Sequence, residues 1–128
     1  MKLLIDTHIL IWWLDGDSRL LERNRRLLRS GDHEVFVSAV TAWEIATKTR
    51  LGKLQFDADF IDDFEQRTLA LNMVHLSVAI RHAVVGAQLS GQHSDPFDRL
   101  LAAQAIVEGL RVLTADPAIK ALGAPAIW

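Results

Sequence analysis

The sequence predicts a single α/β domain of three layers, in which a central, mostly parallel sheet is flanked by helices. Short apolar runs alternate with longer amphipathic segments along the 128 residues, and this alternation is typical of parallel strands joined by helices. No repeat, linker or low-complexity tract interrupts it. The length suits one domain with one sizeable core, so we expect one domain over residues 1–128.

The first half of the chain predicts two strands and four helices. The strands are Lys2–Asp6 and Glu34–Ser38, short apolar runs that end on a polar residue. Ser18 is the expected N-cap of a helix that ends before Gly31, because Ser favours the start and Gly the end of a helix. The expected helices are Ile9–Leu14, Ser18–Ser30, Trp43–Thr49 and Ala58–Leu71.

The second half continues the alternation. Ser77 is the expected cap of one helix, Asp98 opens the next, and Pro117 occupies the first position of the last. Helices on both faces would bury the sheet completely. We expect strands at Met73–Leu76 and Arg111–Ala115, helices at Val78–Leu89 and Arg99–Glu108, a loop at Ser90–Pro96 and an edge strand at Ala124–Trp128.

The composition excludes several classes of protein. Half of the residues are hydrophobic and 23% are charged, as in an ordered globular domain. The absence of cysteine excludes disulfides and thiolate metal sites. Asp6 and His8 interrupt the first apolar run before a signal peptide forms, and no run approaches the ~18 apolar residues of a membrane span, so we expect a cytoplasmic protein. The net charge of −2 disfavours a domain that grips long nucleic acid by electrostatics alone.

Four acidic residues are expected to meet at one edge of the sheet. Asp6 ends the first strand and Asp116 follows the fourth, while Glu44 and Asp98 lie at or near the starts of helices that begin at the same edge. Ligands bind at the carboxyl ends of parallel strands. Each like-charged pair at ~4 Å costs roughly 4 kcal/mol at an effective dielectric of ~20, so a divalent cation is expected between them. Oxygen ligands favour Mg²⁺ or Mn²⁺, with Asp6 and Asp98 as the principal ligands.

Each acid also has a simpler explanation. An aspartate at a strand-to-helix junction often only caps the helix, which applies to Asp6, Asp98 and Asp116. Glu44 could be a first-turn glutamate favoured by the helix dipole. Asp95 could extend the acidic cluster, but an aspartate before a proline more often only starts a turn. Independent caps need not converge at one edge, so the joint pattern favours a shared site.

The remaining polar residues give weaker signals. None of the five histidines shows metal-ligand spacing, and only His8 and His93 are expected near the acids. Thr7 and Thr114 lie beside strand ends, where a hydroxyl could cap the backbone or bind a water or a phosphate. Lys48 follows the Glu44 helix and is expected on a solvated face, with contact to nucleic acid as the alternative.

Four motifs in this order cover the chain and carry a family resemblance: Leu4–His8, Ser38–Ile45, Asp95–Ala105 and Leu113–Asp116. They resemble those of PIN-domain ribonucleases, and within them the VapC-type toxins of bacterial toxin–antitoxin pairs. The resemblance implies that Asp6, Glu44, Asp98 and Asp116 form an acidic pocket for Mg²⁺ or Mn²⁺. It also implies endonucleolytic cleavage of RNA, a homodimer, and inhibition by a small DNA-binding antitoxin.

Other interpretations share part of the pattern. A receiver-type signalling domain needs an acidic pair at the first strand and a lysine after the last, where this chain has Asp6-Thr7 and Asp116. A haloacid-dehalogenase-like phosphatase needs two aspartates spaced by one residue, and Asp6-Thr7-His8 lacks the second. A catalytically idle binding module remains as the alternative, although the presence of all four acids argues against it.

Overall fold

The computed structural model describes residues 1–128 and contains five strands and eight helices. The strands are β1 (Lys2–Ile5), β2 (Glu34–Ser38), β3 (Met73–Leu76), β4 (Arg111–Leu113) and β5 (Ala126–Ile127). The helices are α1 (Thr7–Asp15), α2 (Glu22–Arg29), α3 (Ala39–Arg50), α4 (Ala58–Asp62), α5 (Phe64–Ala70), α6 (Ile80–Gln88), α7 (Pro96–Glu108) and α8 (Pro117–Ala121).

The strand β1 lies at the centre of one five-stranded sheet. The strand order is β3-β2-β1-β4-β5, and every neighbouring pair is parallel. Leu4 of β1 lies opposite Phe36 of β2 on one side and Val112 of β4 on the other. The predicted α/β architecture with a mostly parallel sheet is confirmed, and the edge strand expected in the tail is present as β5.

The core has two halves, one on each face of the sheet. Alternate side chains of a strand point to opposite faces, so Leu4 belongs to one buried cluster and Ile5 to the other. The first cluster includes Leu101 of α7 and Ile119 of α8, and the second includes Ile9 of α1. Helices therefore cover both faces, which explains why β1 is apolar and buried after its first residue.

The predicted start of α2 is wrong by four residues. Ser18 does not cap this helix, which begins at Glu22. The preceding residues form a turn, in which the Asp17 carboxylate accepts the backbone N–H of Arg19 at 2.9 Å. An aspartate that bonds to the backbone two residues on favours a turn over a helix, and this local bond overrides the capping preference of Ser18.

The helix expected over Ala58–Leu71 is divided into α4 and α5. Asp63 lies at the break with φ −118° and ψ 29°, outside the helical region. Phe56, Phe60 and Phe64 stack edge to face across the break, with successive ring centroids 5.5 and 5.6 Å apart. The aromatic stack therefore joins two short helices that the apolar periodicity alone reads as one.

Capping groups also change the starts of α3 and α6. The Ser38 hydroxyl accepts a first-turn backbone N–H at 2.9 Å, so α3 begins at residue 39 rather than at Trp43. Ser77 does not cap α6, because the backbone N–H of Ala79 donates to Nδ1 of His82 at 2.9 Å and fixes the start there. No helix has both the length and the apolar character needed to cross a membrane.

Candidate functional site

A pocket of about 90 Å³ opens at the carboxyl ends of the strands, where the chain leaves β1 and β4. All of its lining residues are polar or charged, and all four acids that the sequence predicts to converge are among them. The lining residues are Asp6, Thr7, His8, Glu44, Lys48, Asp95, Asp98 and Asp116. Four segments that are distant in sequence therefore supply one acidic pocket.

Two larger cavities lie elsewhere and carry less charge. One of about 280 Å³ contains a single carboxylate, Glu65, and is otherwise mostly apolar. The other, of about 470 Å³, is lined by two acids, Asp15 and Asp57. Because reactive chemistry depends on converging polar groups rather than on volume, the small acidic pocket is the stronger candidate for the functional site.

Asp6 connects the end of β1 to the start of α1. Its Oδ1 accepts the backbone N–H of Ile9 at 2.9 Å, and its Oδ2 accepts the hydroxyl of Thr114. Burial raises the pKa of Asp6, against the effect of these hydrogen bonds, and the charge of Asp98 raises it further. Asp6 is therefore both a helix cap and a member of the acidic pocket, so the two interpretations of this residue are compatible.

Glu44 lies in the second turn of α3 rather than at the start of a helix. The helix begins five residues earlier, so an effect of the helix dipole on the first turn does not explain this acid. Its Oε1 accepts the hydroxyl of Thr7 at 2.6 Å, and its Oε2 pairs with the Lys48 ammonium group. Glu44 is only 4% exposed, and contacts from two helices fix its carboxylate.

Asp98 lies in the first turn of α7, and Asp95 rather than Asp98 caps this helix. Oδ1 of Asp95 accepts the backbone N–H groups of Phe97 at 2.8 Å and of Asp98 at 3.4 Å. The Asp95 carboxylate also lines the pocket, so Asp95 extends the acidic cluster and does more than start a turn. Burial raises the pKa of Asp98, and the negative charges of Asp95 and Asp116 act in the same direction.

His93 lies near the acids, as the sequence predicts, and contacts Asp98 directly. Its Nε2 lies 2.7 Å from Oδ2 of Asp98, and this hydrogen bond raises the pKa of His93. Ligand atoms of His93, Asp95 and Asp98 lie within 4.8 Å of one another. His93 lies in the loop before α7, and Asp98 lies in the first turn of that helix. Their five-residue interval matches no familiar metal-ligand spacing.

Arg99 holds the loop that carries His93. Its guanidinium donates to the backbone carbonyl oxygens of Gly86 at 3.0 Å and of His93 at 2.8 Å, and also to that of Leu89. Five N–H donors in a rigid plane suit such multiple contacts. The loop is thus attached to the residue that directly follows Asp98, which fixes the histidine beside the acid.

Asp116 caps α8, and Thr114 connects it to Asp6. Oδ1 of Asp116 accepts the backbone N–H of Ala118 at 2.9 Å. The Thr114 hydroxyl accepts the backbone N–H of Asp116 at 2.9 Å and donates to the Asp6 carboxylate. One hydroxyl therefore orients two of the four acids.

Lys48 faces the pocket, although the sequence favoured a solvated position. Burial lowers its pKa, but the hydrogen bond to Glu44 and the charges of Asp95 and Asp98 raise it more, and the net shift is upward. Its i,i+4 relation to Glu44 was the available signal, since such residues are neighbours on a helix. Lys48 offsets part of the charge of five carboxylates and leaves the pocket strongly acidic.

The donor groups of the pocket fit a hard divalent cation. Carboxylate oxygens dominate, two threonine hydroxyls orient them, and thiolates are absent from the chain. Such oxygen-rich sites suit Mg²⁺ or Mn²⁺. Burial, and to a smaller extent the neighbouring carboxylates, raise the pKa values of Asp6 and Asp98, and a bound cation would stabilise their charged forms.

Without metal, Asp6→Asn is expected to be more stable than the original protein at pH 7. Asn caps helices as well as Asp does, and it carries no charge to bury. Since the folded-state pKa of Asp6 is raised above its usual 3.8, the folded state binds more protons, and the free energy of unfolding falls as pH rises from 3.8 through the raised value. Urea unfolding in EDTA from pH 4 to 7 measures this.

The control is Asp57→Asn, which changes a cap on α4 that is exposed and outside the acidic pocket. It is expected to keep the original dependence of stability on pH. An Asp6→Asn protein that is less stable than the original at pH 7 in EDTA, with the same dependence on pH, would contradict the prediction.

The protein is an α/β domain with an acidic pocket at the carboxyl edge of a parallel sheet. The four sequence motifs predict the same class of domain. A family model described as the PIN domain matches residues 3–125. The chain belongs to the PIN-domain family, and the resemblance seen in the sequence is confirmed.

Individual relatives agree with this assignment. Ribonuclease VapC22 from Mycobacterium tuberculosis is 26% identical over 117 residues, which cover 91% of this chain and 88% of that protein. VapBC2 from Rickettsia felis was solved bound to a DNA fragment from its own promoter. It has a TM-score of 0.72 at 14% identity, and the match covers 100% of this chain and 99% of that chain. DNA-bound VapBC from Salmonella typhimurium has a TM-score of 0.71 at 17% identity, and the match covers 99% of this chain and 97% of that chain. The structural likenesses show the shared fold.

Proposed function

We propose that this protein is a metal-dependent endoribonuclease that hydrolyses RNA phosphodiesters. The observation that carries the proposal is the convergence of four carboxylates from four separate segments on one small pocket. The similarity to a protein named ribonuclease VapC22 over most of both chains supports RNA as the substrate. A catalytically idle binding module is not favoured, because such a module gains nothing from burying mutually repelling acids.

In the proposed site, Asp6 and Asp98 are the principal ligands of Mg²⁺ or Mn²⁺, and Glu44 and Asp116 complete the shell directly or through water. When bound, the cation would lower the pKa of a water molecule and polarise the phosphate. The chain's own residues orient the ligands: Thr114 holds Asp6, and Thr7 holds Glu44.

The remaining contacts of the pocket support the same role. His93 is bonded to Asp98 and fixes the orientation of this carboxylate. Hydrogen bonds from neighbouring groups to metal ligands commonly hold them in the geometry that the metal requires. Lys48 is the ammonium group in the pocket, and we assign it to attract the phosphate of the substrate.

We propose further that the protein is the toxin of a toxin–antitoxin pair, acts in the cytoplasm as a homodimer, and is inhibited by a small DNA-binding antitoxin. The solved VapBC relatives that contain DNA support an antitoxin partner. A short neighbouring gene for a DNA-binding protein, whose product co-purifies with this chain, would support the pairing.

Cleavage of a circular single-stranded RNA tests the proposed activity. The purified protein is expected to linearise the circle in the presence of Mn²⁺, because an endonuclease needs no free end. An exonuclease cannot start on a circle, and an idle binding module leaves it intact. A circle that persists at high protein and Mn²⁺ concentration would therefore refute the proposal.

A further inference from the structure

Two aromatic residues directly precede acids of the pocket in the sequence. Trp43 precedes Glu44 in α3, and Phe97 precedes Asp98 in α7. Their rings meet edge to face, with centroids 4.9 Å apart and an interplanar angle of 69°. We refer to Trp43 and Phe97 as the aromatic pair.

Lys48 shows that the aromatic pair adjoins the pocket. The ammonium nitrogen of Lys48 lies 5.7 Å from the centroid of the Phe97 ring, and the same nitrogen pairs with the Glu44 carboxylate. The Lys48 ammonium group therefore contacts both an acid of the pocket and a ring of the aromatic pair. Phe97 therefore lies between the Trp43 ring and the proposed phosphate site.

The two rings differ in exposure. Phe97 is half-buried and packs against the hydrophobic core, whereas Trp43 is 55% exposed. A tryptophan buries 150–250 Å² when it is fully packed, and edge-to-face contact adds to its stabilisation. Phe97 thus braces a large apolar ring that remains accessible, which lowers the entropy cost of binding something to that ring.

We propose that the exposed face of Trp43, braced by Phe97, stacks on an unpaired base of RNA next to the phosphate that enters the acidic pocket. This inference rests on the proposed function and narrows its substrate to single-stranded RNA. Unpaired bases stack on aromatic side chains of proteins, whereas bases within a duplex stack on one another. The adjoining ammonium group suits a phosphate-linked ligand better than an apolar protein surface.

The test combines removal of a single RNA base with substitution of Trp43. A short oligoribonucleotide that the protein cleaves is compared with copies that each lack one base near the cut. For the original protein, loss of the stacked base is expected to lower kcat/KM roughly 5- to 150-fold, the effect of one base–aromatic stack. Trp43→Leu is expected to lose a similar factor on the intact RNA and nothing further on the abasic copy, while Trp43→Phe keeps most of the effect.

Leu51→Ala is the matched control, because Leu51 is 50% exposed at the end of the same helix. This variant is expected to behave like the original protein with every oligonucleotide. If Trp43→Leu keeps the full penalty for the missing base, the proposal is overturned. The same holds if Trp43→Leu cleaves normally and loses only its binding to a second copy or to a protein partner.

A binding measurement separates this inference from the proposed function. With Ca²⁺ present, the oligoribonucleotide is expected to quench tryptophan fluorescence of the original protein, and Trp43→Phe is expected to lose that quenching. If the original protein never cleaves RNA in Mn²⁺ yet shows quenching that Trp43→Phe loses, the proposed function is wrong and the stacking is supported. Quenching that Trp43→Phe retains would overturn the stacking. An original protein without quenching by single-stranded RNA would overturn the stacking.

Discussion

Chelation of divalent metal with EDTA is expected to abolish RNA cleavage by this protein. Five carboxylates line the pocket, and Lys48 offsets only part of their charge, so a phosphodiester is repelled until a cation is bound. Metal ions stabilise the transition state of phosphoryl transfer by several kcal/mol, which corresponds to a loss of at least roughly 100-fold in rate. Initial cleavage rates before and after dialysis against EDTA measure the loss.

Excess Mn²⁺ added after dialysis is expected to restore the rate, and circular dichroism should show that the fold persists throughout. Thermal unfolding offers a second measurement, because a cation that binds only the folded state raises its stability. Cleavage that continues undiminished in EDTA would show that the proposed mechanism is wrong.

Asp98→Asn is expected to lower kcat/KM by roughly 10²- to 10³-fold, the usual cost of removing one preorganised electrostatic group. Asp98 is a principal ligand in the proposed site, and an amide offers the cation one neutral oxygen instead of an anionic one. The fold should survive, because Asp95 rather than Asp98 caps α7. Steady-state cleavage of the same oligoribonucleotide by both proteins provides the comparison.

Asp63→Asn is the matched control, since this aspartate lies exposed between α4 and α5 and outside the pocket. It is expected to cleave RNA at the original rate. Asp98→Asn should also retain binding to the proposed antitoxin, measured by co-purification. Unchanged cleavage by Asp98→Asn would remove this acid from the mechanism. If neither the original protein nor Asp98→Asn cleaves RNA and both retain partner binding, an idle binding module would be favoured.

The convergence of the acids follows largely from physics that acts locally. A buried central strand must be apolar along its length, so β1 and the acid that ends it are visible in sequence. Parallel pairing then brings Asp6 and Asp116 to one edge whatever the details of the helices. Glu44 reaches the same pocket even though its helix starts earlier than expected, because the direction of α3 was predicted correctly.

The exact partner of His93 depends on geometry that no local pattern encodes. His93 meets Asp98 because Arg99 ties three carbonyl oxygens of the preceding segment together. Lys48 turns inward because Glu44, four residues earlier on the same helix, attracts its ammonium group, and Asp95 and Asp98 add to this attraction. The bond between His93 and Asp98 depends on a loop conformation that arises only after the chain has folded, so the sequence places His93 near the acids without identifying its partner.

The alternation along β1 has a consequence for how this protein can change over time. Leu4 and Ile5 belong to opposite halves of the core, and Asp6 comes immediately after them. Inserting or deleting one residue within β1 would move Leu4 and Ile5 to the opposite faces of the sheet and would direct the Asp6 side chain away from the pocket. We therefore expect natural variants to differ in length at surface loops while the spacing within this strand stays constant.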